Sequence, residues 1–154
     1  MSKFNKIGKD IPPTETDFQI EVEGEVTKKR FVGEFSCKIP RKKEQCLIDK
    51  HRALLNGPQP EFLGADTLRF HHMIAYLRYT IIDSPKFWKE SDLGYELYDE
   101  NVVKEIYDKV LDFEVEWLKE VWGEEAVKKL QAKSEDSNGE AEEGKEKEEG
   151  KKGK

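Results

Sequence analysis

The chain has 154 residues, 36% of them hydrophobic and 39% charged, and a net charge of −6, which suits one domain of ordinary size. The acidic balance argues against non-specific nucleic-acid binding, whose affinity comes from neutralised phosphates, and against a basic membrane-surface helix. No apolar run approaches the ~20 residues of a membrane span, and the first thirteen residues lack the apolar core of a signal peptide, so a cytoplasmic site of synthesis is expected.

Residues 1–16 read as a flexible arm, without periodicity and with Pro12-Pro13 near its end. A single domain is expected over 17–132. It opens on alternation: Phe18, Ile20, Val22 and Val26 on one face, Gln19, Glu21, Glu23 and Glu25 on the other. Period two means a half-buried strand. Gly24 falls on the apolar face and suggests a bulge or a close neighbour. After a polar turn at Thr27-Lys28-Lys29-Arg30, alternation resumes through Phe31, Gly33, Phe35, Cys37 and Ile39. Together these predict an antiparallel hairpin whose apolar face needs cover, because a lone hairpin is marginally stable.

Beyond Pro40 the pattern becomes helical. Residues 42–55 form one expected helix, with Cys46, Leu47, Leu54 and Leu55 inward, and Asn56-Gly57-Pro58 stops it. A second helix is expected over 66–82, on a stripe of Leu68, Met73, Ile74, Leu77 and Ile81 widened by Phe70, Tyr76 and Tyr79. Asp83-Ser84-Pro85 breaks it. The third starts after Asp99, a good N-cap, and carries Val102, Ile106, Val110, Phe113, Trp117 and Val121. Val103, Tyr107, Leu111, Leu118 and Trp122 flank that row and make a broad apolar face. Gly123 ends it, with a short amphipathic continuation over 124–132. Residues 133–154 hold six lysines, eight acids, four glycines and one apolar residue, Ala141. Such a segment cannot bury enough surface to offset its chain entropy, and a disordered tail is expected. The fold class is therefore α+β: an N-terminal antiparallel β-hairpin followed by a small bundle of three to four α-helices.

Catalytic signatures are weak. Adjacent His71 and His72 point about 100° apart on a helix, so one packed and one exposed histidine is favoured over shared metal ligation. Cys46 and His51 lie five apart, a poor spacing for a nucleophile–base pair. Cys37 and Cys46 read as reduced residues, without the second pair a zinc site needs. The acids Asp108, Asp112, Glu116 and Glu120 lie opposite the apolar stripe and read as a solvated face. The glycines are scattered, with no phosphate loop. No enzyme activity, metal or cofactor is expected.

Aromatics carry the stronger signal. Every tyrosine and tryptophan lies within 76–122. Phe87, Trp88, Tyr95 and Tyr98 fall in a connection rich in Ser, Gly, Asp and Pro, and aromatics are enriched in binding hot spots. With Tyr107, Trp117 and Trp122 from the last helix they form the candidate partner-binding set; Phe87 and Trp88 also suit a core lid.

Three stretches have a familiar order. The first is Phe31-Val32-Gly33-Glu34-Phe35, leading to 45–57. The second is Ile81-Ile82-Asp83-Ser84-Pro85-Lys86-Phe87-Trp88. The third is Leu97-Tyr98-Asp99-Glu100-Asn101-Val102-Val103-Lys104-Glu105-Ile106-Tyr107, closing with Phe113 to Trp117. In order and spacing the chain resembles the tail assembly chaperones of long-tailed bacteriophages. The resemblance implies a non-catalytic protein that binds the tape measure protein, keeps it soluble and helps recruit tail tube subunits. It further implies action in multiple copies in the host cytoplasm and absence from the mature virion. The arm, the first strand and a frameshift extension have no visible counterpart. Two other readings stand beside it: a structural neck or tail-completion protein retained in the particle, and a small acidic host-directed binding protein.

Overall fold

Two nine-residue strands, β1 (Glu15–Glu23) and β2 (Arg30–Lys38), pair antiparallel. The computed structural model describes residues 11–125 together with 128, 129 and 132. Four helices follow: α1 (Lys42–Asn56), α2 (Ala65–Thr80), α3 (Lys86–Glu90) and α4 (Glu100–Trp122), with a short 3-10 turn at Pro60–Phe62. A third strand, β3 (Ile81–Asp83), lies between α2 and α3 and pairs antiparallel with β2, so the sheet order is β1-β2-β3. The α+β class, with its hairpin first and helices after, is as expected. Residues 1–10 of the expected arm and the tail 133–154 lie outside the described residues, and β1 already begins at Glu15.

The hairpin register puts Phe18 opposite Phe35, Ile20 opposite Gly33 and Val22 opposite Phe31, so alternation places all six on one face. Phe18 and Phe35 stack at 5.4 Å between centroids. The sheet presents this face to the helices, where Phe35, Leu77, Trp88, Val102, Val103 and Ile106 are completely buried. Val26 departs from the expected pattern. The strand ends at Glu23, and Val26 is 67% exposed in the turn.

Two helix readings also need correction. Only Glu44 and Ile48 of α1 are buried; Cys46 and Leu54 face solvent, while Leu47 and Leu55 are half-buried. The inward face was expected one position out of phase. The second helix stops at Thr80, whose hydroxyl donates to the Tyr76 carbonyl. Ile81 turns extended (φ −78°, ψ 122°), and the β-branched pair Ile81-Ile82 joins the sheet. From His71 to Leu77, α2 is buried at every position but His72, because it is the central helix rather than an amphipathic surface one.

Residues Pro13–Glu114 form one compact unit. Pro12 and the chain from Val115 onward belong to a second unit, within which Trp117 Nε1 donates to the Pro12 carbonyl at 3.2 Å. Gly123 (φ +85°) donates to the Lys119 carbonyl at the end of α4. Of the expected continuation, residues 124, 125, 128, 129 and 132 are helical and the rest lie outside the described residues.

Asp99 connects the start of α4 to the hairpin. Its side chain does not cap its own helix as a good N-cap would. One oxygen accepts the Val26 and Thr27 N–H groups at 2.7 and 2.9 Å, and the other accepts the Thr27 hydroxyl at 2.5 Å. Asn101 continues the clamp: Nδ2 donates to the Glu23 carbonyl at 2.8 Å, and Oδ1 accepts the Glu25 N–H at 3.1 Å. Gly24 is required for the approach, since a Cβ there would lie 2.3 Å from the Asp99 carboxyl carbon. Lys28 takes a left-handed conformation (φ +60°) to close the turn.

Burial of Asp99 disfavours its charged form, but bonds from Thr27 and Val26 and the charge of Lys29 outweigh it and lower the pKa. A depressed carboxyl contributes stability that is full above its unfolded value near ~3.9 and is lost as pH falls through the native value. Wild type is therefore expected to exceed Asp99→Asn in urea midpoint at pH 7, with the gap closing below pH ~4. A gap that persists unchanged in acid would contradict this assignment. Gly24→Ala is expected to cost about 1–3 kcal/mol in the same assay, with a cost near zero as the contrary result.

Candidate functional site

The aromatic candidates divide by burial. Trp88 is 0% exposed and belongs to the core: its ring meets Phe35 edge-on at 5.8 Å. The backbone at Asp92, Leu93 and Gly94 is left-handed at three successive residues (φ +51°, +52° and +91°) and folds over the indole. A Cβ at Gly94 would sit 2.4 Å from that ring. Packing this close leaves the Trp88 Nε1 without a hydrogen-bond partner, a cost the surrounding contacts must offset. Trp88 therefore has no surface to offer a partner. Phe87 is half-buried against Phe31 and Phe35, at 5.1 and 6.1 Å.

The same turn delivers Tyr95, 39% exposed, onto Phe70 of α2 in a stack at 6.2 Å. Phe70 leads to an open groove of about 450 Å³ between α2, the start of α4 and the hairpin turn. Phe70, His72, Met73 and Tyr107 give the groove its ring-rich, largely apolar lining. Its rim carries the acids Glu25, Asp66, Glu100 and Asp108 and the cations Arg69 and Lys104. Tyr107 packs edge-on against Tyr76 at 5.4 Å and against His72 at 6.2 Å. Tyr76 donates its hydroxyl to Glu114, and burial together with that carboxylate raises its pKa. The Tyr107 hydroxyl is likewise pushed up by burial and by Glu114 and Asp108. Both phenols stay neutral at physiological pH.

His72 is half-buried, and Arg52 approaches its Nδ1 at 3.3 Å. Burial and the Arg52 charge lower its pKa against the opposing pull of Asp49, so it sits neutral and accepts from the guanidinium. His71 is buried and donates from Nδ1 to Asn56 Oδ1 at 2.9 Å. The adjacent histidines serve different neighbours, as their angular separation requires. The Cys37 thiol is buried and pushed up to about 11 by burial and Asp17, the opposite of an activated nucleophile. Cys46 is exposed, and the His51 ring is turned edge-on to Tyr79. Among the described residues, no group of three or more His, Cys, Asp or Glu could hold a metal ion, and no helix is long and apolar enough to cross a membrane.

Tyr98 is 80% exposed, beside a smaller hollow of about 210 Å³ lined in part by Phe31, Phe87 and Leu97. In the second unit, Trp117 is half-buried and Trp122 is 57% exposed. Tyr95 and Tyr107 thus line or adjoin one groove, and Tyr98 and Phe87 share another hollow. Met73 is buried as its place on the core stripe predicts, and also reaches the groove wall; half-buried Phe70 is the groove residue that the stripe alone does not reveal. The i, i+3 spacing of the two puts them on one face of α2.

Comparison with protein families, with curated proteins and with solved structures found no match.

The division between core and surface aromatics is testable by urea denaturation. Trp88→Ala is expected to cost about 3–5 kcal/mol, and Tyr98→Ala to stay within about 0.5 kcal/mol of wild type. Comparable costs at the two positions would overturn the assignment.

Proposed function

We propose that the chain is a tail assembly chaperone of a long-tailed bacteriophage, acting by binding rather than by catalysis. The observation that carries the binding role is the open α2/α4 groove, with Phe70, Met73 and Tyr107 among its lining residues and charges of both signs at its rim. Such a groove suits one turn or more of an amphipathic helix, whose apolar side chains insert while its polar face meets the rim. A tape measure protein is a long helical polypeptide that needs such cover before tube subunits polymerise around it. Several weak sites acting in multiple copies would hold it in solution and still release it as the tube grows.

The choice of this family rests on the sequence resemblance, and the packing is consistent with it. Phe31 and Phe35 of the first stretch contact Phe87 of the second, and Phe35 also contacts Trp88. A Cβ at Gly33 would meet Pro85 at 2.5 Å. Asp99 and Asn101 of the third stretch hold the turn of the hairpin that contains the first. The three stretches therefore meet as determinants of one fold.

Co-expression with a candidate tape measure protein, sought as a long helical product of a neighbouring gene, tests the reading. Wild type is expected to raise the soluble tape measure fraction several-fold, and a Tyr95→Ala/Lys104→Glu variant to lose most of that effect. Equal insolubility with and without the wild-type chain would refute the proposal. Stoichiometric presence of the chain in purified particles would instead favour the structural neck or tail-completion reading.

A further inference from the structure

Four cations meet at one groove of this acidic chain. It has a volume of about 430 Å³ and lies between the start of α1, the end of α2 and β3. Lys38, Arg41, Lys43 and Arg78 line it, with Glu44 as the single acid of the lining. Glu44 is 6% exposed and already engaged. Its Oε1 lies 3.2 Å from both Lys38 Nζ and Arg41 Nη2, and its Oε2 accepts the Arg41 N–H at 3.1 Å. Its own backbone N–H, and after it Lys38 and Arg41, outweigh burial and hold its carboxyl at about 2. It therefore stays charged and fixes two of the cations at the groove wall. Arg78 is only loosely paired, 4.0 Å from Asp92. Lys43 is exposed and makes no ion pair among the described residues. Between the cations lie Leu47, Tyr79, Ile81 and Ile82, and Ile82 is 50% exposed.

We propose that this groove is a second docking site, one that takes an acidic segment with apolar side chains from a partner protein. Carboxylates along such a segment match the cationic wall, and an interspersed leucine-like side chain covers Ile82. Complementary charge at a partly apolar surface is the pattern that gives specificity and on-rate. A nucleic acid is the poorer occupant, because it requires a longer cationic track and the chain carries a net −6. The proposal uses no residue of the α2/α4 groove and stands whether or not the chaperone reading holds.

Fluorescence anisotropy on the full chain tests it, using a short labelled peptide of alternating glutamate and leucine. Binding is expected, weakening as salt rises, with little binding of the same peptide carrying glutamine for glutamate. Lys43→Glu/Arg78→Glu, checked for folding by circular dichroism, is expected to lose about tenfold or more in affinity. Lys104→Glu, in the other groove, should leave it unchanged. If the double variant does not fold, the salt dependence and the glutamine control decide. Equal affinity for the glutamine peptide, undiminished binding by a folded double variant, or tighter binding of a labelled oligouridine would each overturn the proposal.

Discussion

A buried carboxylate holds the first element of this fold to the last. Asp99 is 1% exposed and 72 residues from Thr27, yet its two oxygens accept three hydrogen bonds from the hairpin turn. A two-stranded hairpin has little independent stability in water, so its position must come from outside. The apolar face supplies adhesion, which is non-directional. The Asp99 bonds supply direction, because charge-assisted bonds to backbone N–H groups fix where the turn sits along α4. Gly24 permits the approach, and Asn101 adds a second contact two residues on. Removing the carboxylate would break three part-buried bonds at once, and bonds to a charged acceptor contribute more than an average hydrogen bond.

A second constraint lies beneath the candidate surface. Trp88 fills the centre between sheet and helices, and the left-handed run Asp92-Leu93-Gly94 closes over it. Non-glycine residues in that region store strain, which the packing of the indole stabilises against. Ser91 contributes by donating its hydroxyl to the Trp88 carbonyl and accepting the Gly94 N–H. The run places Tyr95 on Phe70 and so defines one edge of the α2/α4 groove. The aromatic connection that looked in sequence like a recognition loop divides into a buried anchor and an exposed tip. The basic groove lies at the other end of α2, lined by Arg78 and Tyr79 rather than Asp66 to Met73. One central helix thus lines a ring-bearing groove with charges of both signs at its start and a cationic one at its end.

Local periodicity made much of this legible. The alternation in β1 and β2, the stop at Gly57 and the long apolar row of α4 each reflect one local rule, and each was readable from the chain alone. What escaped depends on contacts distant in sequence. The strand β3 is three residues long and is stabilised by its register with Cys37 and Ser36, which no window around Ile81 contains. Asp99 reads locally as a cap, and only the arrival of the hairpin turn gives its carboxylate better donors. Leu54 satisfies a helical stripe and still ends 76% exposed, since the phase of α1 follows Glu44 and Ile48. The candidate groove is half visible in the sequence: Tyr107 stands out as an aromatic of the last helix, whereas Phe70 reads only as part of a core stripe and Met73 is a core residue that also reaches the groove.

Amide hydrogen exchange at Val26 and Thr27 tests the Asp99 constraint most directly. Both sit in a solvent-facing turn, where amides ordinarily exchange quickly, so protection there has to come from the carboxylate. The account predicts slow exchange at both positions in the wild-type chain and selective loss of that protection in Asp99→Ala, with core amides of α4 such as Ile106 affected less. Exchange at the free-peptide rate in wild type, or protection that survives the substitution, would contradict it.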